Sequence, residues 1–146
     1  MRERNRMDFA RSLFFNYLMM APDAHAKNYS VLLLADAVRL APLYDIASGA
    51  PYTKDYGRPG FKRAAMRIGG ENQFGELSPK NLQRFAQRNG FEEQWVMETF
   101  KQMAEGIPSA LENVFACNVH ITGTSELREA MLGRLSSHCQ RAGKPL

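Results

Sequence analysis

Asp23-Ala24-His25-Ala26-Lys27-Asn28 is the stretch on which the reading of this chain turns. It follows an apolar run at helical spacing. From about Met7 to Met20, residues Ala10, Leu13, Phe14, Tyr17 and Leu18 make one stripe suited to burial. Pro22 disfavours helical geometry at Ala21, so the helix is expected to end there and deliver Asp23 rigidly into a loop. Beyond the loop, Ser30 to Leu34 and Ala37 to Leu40 read as two short strands joined by a turn at Ala35-Asp36. Such a hairpin leads the chain back and places Asp45 near the loop.

An Asp, four intervening residues and an Asn, then a second Asp beyond a hairpin, is the acidic set of a kinase-type phosphoryl-transfer site. A loop of that length can turn Asp and Asn towards the same phosphates. Magnesium needs hard oxygen ligands and takes only one or two from protein, the rest from phosphate and water. Taken singly, Asp23 reads as a turn or cap residue and Asn28 as a turn residue. Together with the strand pair and Asp45, they read as a site.

The run from Asp23 through Asn28 to Tyr29-Ser30, followed by Leu40-Ala41-Pro42-Leu43-Tyr44-Asp45-Ile46, resembles the catalytic core of the HipA-like kinases. These are serine/threonine kinases that act as toxins in bacterial toxin–antitoxin pairs. The resemblance continues through Ala65-Met66-Arg67-Ile68-Gly69-Gly70 and Ile107-Pro108-Ser109-Ala110-Leu111-Glu112-Asn113-Val114, and so covers nearly the whole chain. It implies Asp23 as catalytic base, His25, Ala26, Lys27 and Asn28 lining ATP, and Asn28 and Asp45 ligating Mg2+. Lys27 could offset charge on the transferring group or be an exposed loop lysine. Leu43 and Tyr44 read first as packing residues, with Tyr44 kept as a nucleotide-side candidate. The resemblance also implies a DNA-binding antitoxin and a protein substrate as partners. Ala21-Pro22 stands where eukaryotic kinases have His-Arg, and Ile46-Ala47 where they have Phe-Gly.

The 22 residues ahead of Asp23 hold no Gly-rich loop, strand Lys or adenine hinge. The chain is therefore expected to be one domain, residues 1–146, the C-terminal lobe of a larger kinase and inactive as an isolated fragment. Self-association is expected through the apolar surface on which a second lobe would rest. The expected fold is mainly α, a helical lobe with a small β-hairpin beside the catalytic loop. Two other functions fit the same residues: a non-catalytic remnant that binds an antitoxin or another partner, and a small-molecule phosphotransferase of the aminoglycoside-kinase type.

Bulk properties agree with a globular domain. The chain has 146 residues, 45% of them hydrophobic and 23% charged, with a net charge of +4. No dense Lys/Arg tract announces an independent nucleic-acid binder. Cys117 and Cys139 alone give no disulfide framework, and a reducing cytoplasm is the expected setting. No apolar run approaches the roughly 20 residues that span a bilayer. Neither Glu3 nor Asn5 among the early arginines suits a signal peptide.

The remainder reads as helices and turns. Ser48 to Gly60 is expected to be an irregular exposed loop. Gly69, Gly70 and Gly75 are read as turn glycines, since their spacing makes no phosphate cradle. Ser78-Pro79 begins a helix that runs to Arg88 and stops at Asn89-Gly90. On it Lys80, Arg84 and Arg88 recur every fourth residue, either as a solvated face or as contacts to DNA phosphates held through an antitoxin. Phe91 to Glu105 is a helix with Trp95, Val96, Phe100 and Met103 inward, interrupted by Gly106 and Pro108 and resumed from Ser109 to Cys117. Thr124-Ser125-Glu126 is expected to cap a last helix to about Arg141, with Leu127, Met131, Leu135 and His138 on one side. His138 and Cys139 are adjacent and diverge on a helix, and His120 stands apart, so no zinc site is expected.

Overall fold

The computed structural model describes residues 2–52, 59–118 and 125–144. Helix α1 spans Arg2–Leu18, and a hairpin of β1 (Val31–Leu34) and β2 (Ala37–Leu40) follows the loop. A second hairpin pairs β3 (Arg63–Ile68) with β4 (Glu71–Gln73), before helices α2 (Pro79–Asn89), α3 (Glu93–Cys117) and α4 (Ser125–Gly143). The lobe is mainly helical, as expected.

The α1 stripe is the centre of the core. Ala10, Leu13, Phe14, Tyr17 and Leu18 are all buried. Phe14 meets the rings of Phe85 on α2 and Phe100 on α3 edge-on, at 5.4 and 5.5 Å between centroids. Tyr17 ties the layers by hydrogen bonds. Its hydroxyl donates to Gln73 O (2.9 Å) and accepts from the N–H groups of Gly75 (2.9 Å) and Leu77 (3.2 Å). Each bond satisfies a group that burial would otherwise leave unpaired. Helix α1 starts earlier than expected, and Glu3–Arg6, Arg4–Asp8 and Asp8–Arg11 ion pairs join successive turns of its polar beginning.

Four expectations are corrected. Residues 63–73 form a hairpin, where only turn glycines were read; Gly69 and Gly70, at φ 57° and 96°, make its two-residue turn. Pro108 does not break α3, which runs through it for 25 residues. Proline removes one helical N–H, but Ala104 and Ile107, in the turn leading into it, are buried and anchor the helix there. The loop after Asp45 is irregular but not wholly exposed. Gly49 and Ala50 are buried, and a Cβ on Gly49 would lie 2.9 Å from the Phe61 ring. Leu127, read on one side of α4 with Leu135 and His138, does not share their burial: it is 41% exposed, while both others are buried. The expected Thr124 cap, His120 and part of the 48–60 loop lie outside the described residues.

Ser78 and Asn81 cap α2: Asn81 Oδ1 accepts from the Ser78 N–H (3.0 Å) and hydroxyl (2.6 Å). Gly90 closes α2 at φ 64°. Among the described residues, no helix is long and apolar enough to cross a membrane.

Candidate active site

Helix α1 ends two residues before the expected point. Met20 takes a left-handed φ of 52°, its N–H donates to Tyr17 O (3.0 Å), and Ala21 N–H reaches Asn16 O (2.9 Å). This pair of bonds is a Schellman closure, usually built on glycine. The chain then turns through Pro22 into the acidic loop. Asp23 O accepts from the His25 N–H (2.8 Å) and from Asn28 Nδ2 (3.0 Å). Asn28 N–H donates to His25 O (2.9 Å), closing a short 3-10 turn over Ala26–Asn28. The Asn28 amide nitrogen is thus committed to the loop, which leaves its Oδ1 as the oxygen able to face a cation.

The Asp23 carboxylate is 81% exposed, with His25 Nε2 3.6 Å from Oδ1. Lys27 and Ala26 are exposed. Lys27 makes no ion pair among the described residues. Behind the loop, Asn16 Nδ2 donates to the Tyr29 hydroxyl (2.8 Å), and burial raises the Tyr29 pKa against that bond.

The first hairpin forms where expected and pairs Val31 with Leu40 and Leu34 with Ala37. Asn5 of α1 seals the outer edge of β2: its Nδ2 donates to Val38 O (2.7 Å), and its Oδ1 accepts from Leu40 N–H (3.1 Å). Tyr44 then reaches back to the loop, its hydroxyl 2.8 Å from Ser30 Oγ and 3.5 Å from Lys27 O. Asp45 is exposed in a left-handed conformation, φ 55°. Beyond it, Ser48 Oγ donates to Met19 O (2.7 Å) and Gly49 N–H to Met20 O (2.9 Å). Met20 and Asp45, the two non-glycine left-handed residues among the described residues, therefore flank the loop, and Ser48 and Gly49 tie the segment after Asp45 to Met19 and Met20. Strained backbone of this kind persists where surroundings over-determine it.

These contacts join Asp23 to Asn28, and Tyr44 to Lys27 and Ser30. Among the described residues, no hydrogen bond or ion pair joins Asp45 to either Asp23 or Asn28. No cluster of three or more His, Cys, Asp or Glu residues suited to a metal occurs among the described residues. An amide oxygen and an exposed carboxylate nonetheless match the few hard protein ligands magnesium takes. Sequence reasoning missed the supporting residues Asn5, Asn16 and Ser48. Asn16 carried a signal, a polar residue inside the apolar run Phe14-Phe15-Asn16-Tyr17.

Elsewhere, Lys80, Arg84 and Arg88 are all exposed on α2, and Arg84 Nη1 donates to Gly69 O at 3.2 Å. His138 Nε2 lies 3.1 Å from Tyr17 O, and burial lowers the ring's pKa to about 4. Burial pushes the Cys139 thiol up to about 11, so it packs as an inert apolar group.

Residues 1–111 match the family model described as the HipA-like C-terminal domain. A protein of Sinorhizobium fredii named as a candidate kinase, Y4mE, is 35% identical over 77 residues, 52% of this chain and 17% of that protein. A solved structure of HipA from Shewanella oneidensis, in complex with HipB and operator DNA, superposes with a TM-score of 0.76 at 24% identity. That match covers 92% of this chain and 30% of the solved one, so the chain spans under a third of the length of either relative. The residues that match, together with the shared fold, carry one conclusion: this chain belongs to the family of HipA-like C-terminal domains.

Proposed function

We propose that this domain is the catalytic lobe of a serine/threonine protein kinase that transfers the ATP γ-phosphoryl group to a protein hydroxyl within a toxin–antitoxin system. The observation that carries the reading is the Asn28 Nδ2 to Asp23 O bond of 3.0 Å, which fixes the Asp and Asn of the loop relative to each other. Asp23, exposed at the loop's start, accepts the proton of the attacking hydroxyl. Asn28 Oδ1 and the Asp45 carboxylate offer oxygens to magnesium, which when bound neutralises charge on the phosphates. His25, Ala26, Lys27 and Tyr44 border the nucleotide. The setting is cytoplasmic.

The partner in this reading is a DNA-binding antitoxin, on the strength of the solved HipA relative with HipB and operator DNA. Lys80, Arg84 and Arg88 would approach phosphates in that assembly. Three charges are too few for tight binding of DNA alone.

The 146 residues contain no Gly-rich loop or strand Lys to clamp the nucleotide from above. A non-catalytic, partner-binding role of the isolated chain is favoured by one observation. On β1 all four side chains are exposed, Leu33 at 79%, an apolar surface that invites cover or self-association. The test is phosphoryl transfer from labelled ATP with magnesium and a cell extract, with and without an N-terminal kinase lobe supplied in trans. Transfer only in the complemented reaction is expected. Robust transfer by the chain alone, abolished by Asp23→Ala, would overturn the claim that it is inactive on its own.

A further inference from the structure

A cleft of about 470 Å³ opens between the first half of α1, the turn of the second hairpin and the end of α2, and no residue of the acidic loop lines it. Its floor is apolar: Phe9, Leu13, Met66, Phe85 and Phe91. The Phe85 and Phe91 rings stack there, 5.8 Å apart and 17° from parallel. Its rim carries three guanidinium groups, from Arg6, Arg67 and Arg88, and no acidic residue lines it among the described residues.

The three arginines differ. Arg6 is already engaged, paired with Glu3 at 2.8 Å, bonded to Asn89 O and lying over the Phe91 ring. Arg67 and Arg88 are exposed and have no hydrogen-bond, ion-pair or ring partner among the described residues. They stand on different elements, β3 and α2, either side of the aromatic floor. An apolar pocket with a few convergent charges is the ordinary form of a binding site.

We propose that this cleft binds an acidic polypeptide segment bearing an aromatic side chain. The ring enters over Phe85 and Phe91, and flanking carboxylates pair with Arg67 and Arg88. Aromatic anchors in desolvated pockets carry most of the energy of such contacts, and carboxylate–guanidinium pairs add charge-assisted bonds. Duplex DNA fits less well, since its phosphates offer nothing to the apolar floor. A role for Arg88 here also competes with its use as a DNA-phosphate contact.

The test is fluorescence anisotropy of the whole chain with a labelled heptapeptide, one tryptophan flanked by glutamates. Binding is expected to weaken at least roughly tenfold in the Arg67→Gln/Arg88→Gln double variant. A similar loss is expected when alanine replaces the peptide's tryptophan, while Arg67→Lys/Arg88→Lys retains most of the affinity. Both arginines are exposed, so the variants should melt like the parent, and a circular dichroism melt checks this. No binding at millimolar peptide, or equal binding by the double glutamine variant, would overturn the proposal. So would a labelled duplex that binds through these two arginines and displaces the peptide, since the cleft would then belong to nucleic acid.

Discussion

Ser48 donates its hydroxyl to the Met19 carbonyl across 2.7 Å, tying the segment beyond Asp45 to the last turn of α1. The same hydroxyl accepts from Ala50 N–H at 3.2 Å, so one side chain holds both sides of the crossing. Met19 lies at the end of the helix that delivers Asp23, and Ser48 lies three residues past Asp45. The bond therefore ties the segment just past Asp45 to the helix end just ahead of Asp23.

Replacing Ser48 with alanine should remove that tie without disturbing the core stripe. The expected loss of stability is about 1 kcal/mol, typical of one intramolecular hydrogen bond. In a complemented kinase, the KM for Mg·ATP should rise more than kcat falls, because Asp45 loosens while Asp23 stays fixed. Urea unfolding and steady-state kinetics read the two effects. A variant that unfolds like the parent and keeps its KM would show that Ser48 positions nothing.

His138 makes stability depend on pH. Desolvation by burial holds its folded pKa at about 4, below the ordinary 6.5, against the raising effect of the Tyr17 carbonyl. The unfolded chain binds more protons between those values. This contribution is therefore fully present above about pH 6.5 and is lost as pH falls towards 4, to a total of about 3 kcal/mol. Urea midpoints measured across that window should fall in the parent. His138→Gln, which cannot titrate, should flatten this component of the slope even where it lowers overall stability.

Salt dependence tests the proposed approach of the basic stripe to DNA in an antitoxin complex. Removing Lys80, Arg84 and Arg88 together should flatten the log–log slope of binding against salt by roughly two to three. Arg84 also holds Gly69 O, so the triple variant should be slightly less stable. An unchanged slope would leave the stripe as a solvated face.

Much of this was legible in the sequence, for physical reasons. The α1 stripe, the first hairpin and the limits of α2 each rest on local patterns that tertiary contacts reinforce. The second hairpin was hidden because Ala64 and Ala65 carry little β signal. Yet Ala64 and Ile68 are buried and Arg63, Ala65 and Arg67 exposed, a two-residue alternation ahead of Gly69-Gly70. The continuity of α3 through Pro108 was not local information, since packing of Ala104 and Ile107 decides it. In the site, the order of Asp23, Asn28 and Asp45 was legible. The ties through Asn5, Asn16 and Ser48 were not, because each joins side chain to backbone or side chain over a sequence distance no motif encodes.

Asp23 is proposed to act on the hydroxyl, and Asn28 and Asp45 on the metal-bound nucleotide. The most direct measurement compares Mg·ATP affinity and single-turnover transfer in a complemented kinase carrying Asp23→Ala or Asp45→Ala. Asp23→Ala should bind Mg·ATP nearly as the parent does and lose transfer by orders of magnitude, roughly 10² or more, as expected for a lost base. Asp45→Ala should lose the nucleotide itself. Equal loss of binding in both variants, or retained transfer in Asp23→Ala, would contradict the assignment.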